Sequence, residues 1–124
     1  MLRLIVLSVL FVSLNVHAKT IFKGVSNSGN HCVVSLNPAN DNVSFNSVGT
    51  GFGFYASTQE IDSMVKKGHQ KILLEGEDSN LKAALTLHYN KAGELVSAFY
   101  TQKNFMKVKR LNCTQLAKNE TTRN

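Results

Sequence analysis

The sequence predicts an all-β, mainly antiparallel domain with one short α-helix, and three observations predict it. Short runs of alternating apolar and polar residues recur along the chain, each bounded by Gly, Asn, Asp or Ser clusters. Only the stretch after Ser57 carries helical spacing instead. The two cysteines, Cys32 and Cys113, lie toward opposite ends of the strand series. Sequential strands with short turns describe a meander, and a bond joining its ends describes a small β-barrel closed by a disulfide. A β-sandwich stapled across its two layers is the alternative.

A leader precedes the first strand. Arg3 supplies a positive start, Leu4 to Leu14 an apolar run, and Val16-His17-Ala18 a small-residue cleavage pattern. The run is short for a transmembrane helix, and no second one follows it, so no transmembrane segment is expected in the mature chain. These features predict a signal peptide over residues 1–18, one β-rich domain over 19–116 and a flexible polar tail over 117–124. The location implied is secreted or periplasmic. That compartment is oxidising, which favours a Cys32–Cys113 bond. The bond closes a loop of roughly 80 residues, worth ~4–5 kcal/mol in the chain-entropy picture.

Thr20 to Val25 and His31 to Asn37 flank Asn27-Ser28-Gly29-Asn30, a hairpin turn. In the second of these strands Cys32, Val34 and Leu36 are assigned to the core. Val43 and Phe45 restart the alternation after a polar turn. Gly49, Gly51 and Gly53 then alternate with aromatic residues, the signature of a bend or bulge in a strongly curved sheet. Ser57 and Glu60 have capping-box spacing, Ile61, Met64 and Val65 form a narrow apolar stripe, and Gly68 ends the helix. A helix of about three turns is unstable alone and is expected to plug an end or edge of the sheet. Strands follow at Lys71 to Gly76, Leu81 to Tyr89, Leu95 to Thr101 and Phe105 to Cys113. The second of these has the clearest alternation, with Leu81, Ala83, Leu85, Leu87 and Tyr89 facing inward.

The formal charge of the chain is +6, and Arg3 leaves with the leader. A basic excess favours encounters with anionic surfaces such as a cell-envelope polymer. There is no Trp and no dense arginine tract, so no strong nucleic-acid signal. Lys103, Lys107, Lys109 and Arg110 form the densest basic stretch and are the candidate face for an anionic partner. Strand parity puts the three lysines together, but Phe105 and Leu111 share that parity, which calls for a bulge before Cys113. Phe52, Phe54 and Tyr55 are the candidate aromatic lip for a ligand.

Catalytic and cofactor patterns are missing. His31, His69 and His88 have no metal-ligand spacing, and Glu75-Gly76-Glu77-Asp78 lacks the alternating ligands of a calcium loop. Gly49 to Gly53 lacks the Lys and Ser/Thr of a phosphate-binding loop. No catalytic residue, cofactor or metal is therefore assigned. In outline the chain resembles the small exported β-barrel proteins of Gram-negative bacteria, on leader, size and strand pattern. The expected function is non-catalytic binding of a ligand, another secreted protein or an anionic surface. The alternative is a small basic secreted hydrolase such as a nuclease, for which Glu94, His88 and the lysines near Lys107 are the available set.

Overall fold

In the computed structural model, which describes residues 18–119, the alternating runs form eight strands and the stretch after Ser57 one helix. They are β1 (Thr20–Ser26), β2 (His31–Asn37), β3 (Asn42–Ser47), β4 (Thr50–Tyr55), α1 (Thr58–Lys66), β5 (Lys71–Asp78), β6 (Leu81–Tyr89), β7 (Leu95–Asn104) and β8 (Lys107–Lys118). All neighbours are antiparallel, in the order β4-β3-β2-β1-β8-β7-β6-β5. The sheet curls into a nearly closed barrel, so β4 and β5 face each other across a seam. The expected leader lies, apart from Ala18, outside the described residues, as do residues 120–124 of the expected tail.

Inward positions fill the barrel. Phe45 stacks on Tyr100 with ring centroids 4.6 Å apart, and Phe54 meets Tyr100 edge-on at 6.5 Å. Val34, Val43, Leu85 and Leu87 are fully buried around them. Ala83, Leu85 and Leu87 bear out the inward register of β6, while Leu81 and Tyr89 are half-buried at its ends. On the strands other than β1 the apolar side faces inward, the reverse of a lipid-facing barrel, whereas β1 turns Gly24 and Ser26 inward and leaves Val25 exposed.

The disulfide joins β2 to β8 across the intervening β1, with Cys32 and Cys113 Cα atoms 6.1 Å apart. Strands two apart in a flat sheet are separated by roughly 9.5 Å, so the sheet is sharply folded here. Gly24 makes the fold possible. It pairs with Cys32, and a side chain there would strike the Thr114 carbonyl and come within 3.3 Å of Cys113 Sγ. On β8 the pairing with β1 shifts register, and Gln115 takes a positive φ of 55°. The bulge therefore follows Cys113, whereas the parity of the lysines called for one before it without locating it.

At one end α1 covers the barrel. Ser57 Oγ accepts from the Glu60 N–H at 3.2 Å, Gly68 adopts φ +101° after the last turn, and Ile61 is buried. Met64 and Val65 pack on the core, with Val65 against the Gly93 turn between β6 and β7. At the C-terminus β8 passes the Leu116 boundary expected from the sequence. Ala117 and Lys118 pair with Lys23 and Phe22, and the Asn119 N–H donates to the Ile21 carbonyl at 2.7 Å. The polar residues stay ordered because β1 offers them an edge to complete.

Candidate functional site

Two of the surface grooves and one bare end, among the described residues, distinguish this barrel from a plain scaffold. The first groove, about 480 Å³, lies along the seam between β4 and β5. Its origin is a missing ladder. The Ala56 N–H donates to Asp41 O, and in antiparallel alternation that turns the backbone groups of Gly51, Gly53 and Tyr55 away from β3. Tyr89 N–H donating to Gln70 O likewise turns those of Leu73, Glu75 and Glu77 away from β6. Phe52 bridges the gap: a methyl group on Gly76 would lie 2.5 Å from the Phe52 ring, so only glycine admits it.

The expected aromatic lip is divided by this packing. Phe54 is 1% exposed and belongs to the core, Phe52 is half-buried as the seam closure, and only Tyr55, 92% exposed, stands free. Phe52 and Phe54 alternate with Gly51, Gly53 and Tyr55. That period-two signal places the two phenylalanines inward. Reading the glycines as a bend obscured it.

The second groove, about 390 Å³, lies on the outer face of β6, β7 and β8, with Glu75 of β5 at one side. Its floor is small, with Ala84 opposite Thr101 and Thr101 opposite Arg110. Lys82 and Lys103 sit directly opposite each other one row lower. Lys82 has Glu77 on its other side, whereas Lys103 has Val108. Two lysines thus face each other on adjacent strands, with Arg110 one row away.

The basic stretch does not form the single face that its spacing suggests. The chain turns at Phe105 and Met106, so Lys103, one residue before the end of β7, has outward parity while Lys107 and Lys109 near the start of β8 have inward parity. Those two share parity with Leu111, as the sequence indicated, but lie beyond the core at the barrel's open end. Lys109 reaches across that end and donates to Thr50 Oγ1 at 2.6 Å, tying β8 to the buried start of β4. Arg110 faces outward with Lys103. Lys82, which the sequence reading did not single out, completes the outer set. It was hidden because cross-strand register is non-local.

The hydrolase set is likewise separated. His88 lies beside Ser97 near the helix end, with Glu94 in the adjoining turn, where its backbone N–H donates to Asn90 Oδ1 at 2.9 Å. Lys107 pairs with Asn104 at the other end of β7. The distance from Ser97 to Asn104 along one strand is roughly 23 Å at the usual rise per residue. At that separation these groups do not converge on one reacting bond.

Around the turn at the open end, Phe105 and Met106 are 76% and 96% exposed. Val108 and, in the β3–β4 turn, Val48 are also exposed. Among the described residues no helix is long and apolar enough to cross a membrane. Comparison with protein-family models, with curated proteins and with solved structures found no match to this chain.

Proposed function

We propose that this is an exported, non-catalytic barrel that binds an anionic partner through the outer face of β6–β8. One observation carries the reading: Lys82 and Lys103 stand directly opposite each other beside Arg110, around a groove floored by Ala84 and Thr101. Like charges directly opposite on adjacent strands destabilise a sheet. An anion seated between them offsets that repulsion, and the small floor leaves it room. The basic net charge steers such a partner toward the protein. Export rests on the leader pattern, and the Cys32–Cys113 bond suits an oxidising compartment. The non-catalytic reading rests on the separation of His88 and Glu94 from Lys107.

The test is retention on an anionic polymer resin. Reversing Lys82, Lys103 and Arg110 to Glu should abolish retention, and wild-type retention should fall steeply with salt. Reversing Lys66, Lys67 and Lys71, in and after α1, changes net charge equally and should cost much less. Equal losses in the two variants would reduce the effect to net charge and overturn the proposed face.

A further inference from the structure

The turn between β7 and β8 spends none of its apolar residues on the core. Phe105 and Met106 project at the open end, and Phe105 holds a positive φ of 46°, a conformation that favours Asn or Gly over a large aromatic. Val48 projects at the same end. The Lys109 bond to Thr50 brings the start of β4, and with it the Val48-Gly49 turn, to within one lysine side chain of β8. Cations outnumber carboxylates around the tip. Between Thr101 and Cys113 the hairpin carries Lys103, Lys107, Lys109 and Arg110 and no carboxylate, while Glu77 and Asp78 lie two strands away in the rows of Lys103 and Asn104. Lys107 and Asn104 form the row directly above the turn, and Lys103 with Val108 the next. At the usual strand rise these rows lie roughly 3–7 Å above the tip.

We infer that this end is a membrane-docking tip, in which Phe105, Met106 and Val48 enter the interface of an anionic bilayer while Lys103 and Lys107, in the two rows above them, engage its phosphate headgroups. The inference rests on the proposed anionic partner and names it as a lipid surface. A soluble polyanion requires only cations in a groove. It gives no reason to hold a phenylalanine in a left-handed turn and a methionine bare beside it. A bilayer accepts both, because apolar side chains seat several Å into the headgroup boundary, and the vertical spacing of apolar tip and cationic rows matches that layering. A convex tip also suits a deformable surface better than a protein pocket.

The experiment is cosedimentation of the folded, disulfide-bonded protein with vesicles of phosphatidylcholine, alone or mixed with phosphatidylglycerol, run beside the anionic resin. Wild type should sediment with the mixed vesicles and far less with phosphatidylcholine alone. Phe105→Asn combined with Met106→Ser removes the tip while suiting the turn, and circular dichroism checks that the fold persists. This variant should lose vesicle affinity by roughly tenfold or more and keep its retention on the resin. Wild-type binding to the resin but not to mixed vesicles would overturn the membrane inference and leave the anionic-partner reading standing. Unchanged vesicle binding by the tip variant would also overturn it. Failure of wild type on both supports would overturn both readings.

Discussion

The two ends of the barrel treat apolar residues in opposite ways. At the helix end, Ile61, Met64 and Val65 turn into the core, the Gly93 turn lies against Val65, and Tyr89 is half-buried. At the hairpin end, Val48, Phe105, Met106 and Val108 are exposed, and a lysine rather than a helix spans the opening. Both ends belong to the same eight strands, so curvature does not explain the contrast. A helix of about three turns has little stability of its own and gains it by docking its apolar stripe. The bare hairpin gains nothing in the isolated molecule, and the cations beside it are consistent with a partner outside the chain.

The comparison can be broken or sharpened by measurement. The largest effect should come from the element lying between the ends: replacing both Cys32 and Cys113 by Ser should cost ~4–5 kcal/mol in denaturant unfolding. A loss below about 1 kcal/mol would mean that Gly24 and the bulge hold the corner unaided. Next comes the direct contrast. Ile61→Ala should cost about 2–5 kcal/mol because it empties a buried site, whereas Met106→Ser should stay within about 0.5 kcal/mol. Equal costs would erase the distinction between covered and bare ends.

A smaller effect should appear at high pH. Burial pushes the Tyr89 phenol up to about 12 from 10.0, with the nearby Asp62 carboxylate adding to the shift. The neutral phenol is thus favoured in the folded state. Its contribution to stability is complete below pH 10 and lost as pH rises toward 12. Tyr89→Phe should therefore unfold less steeply than wild type across that window, when denaturation midpoints are followed against pH. Identical slopes would show that the phenol at the helix end is not linked to folding.

Much of this architecture was legible locally. Period-two alternation marked β2 and β6, cap residues marked α1, and two cysteines in a chain with a leader pattern left one pairing, which the structure contains. What escaped was relational. Gly24 reads as an unremarkable strand residue until Cys113 is brought across it. Phe54 reads as a lip until Tyr100 arrives from a strand 46 positions away. The facing of the lysines depends on a two-residue turn at Phe105-Met106, which carries neither Gly nor Pro and whose only local signal is Asn104 before it. The face now proposed pairs Lys82 with Lys103, a juxtaposition that exists only after β6 and β7 are in register.

The contrast between the ends can be tested with a single fluorophore, because the chain contains no Trp. Met106→Trp places one probe at the bare tip, and Gln59→Trp places one on the exposed side of the helix end. On addition of phosphatidylglycerol-containing vesicles, the tip probe should shift to shorter emission wavelength and be quenched by lipids labelled in their acyl chains, while the helix probe should remain as in buffer. An unshifted tip probe, or equal shifts at both ends, would contradict the proposal that the hairpin end docks on a membrane.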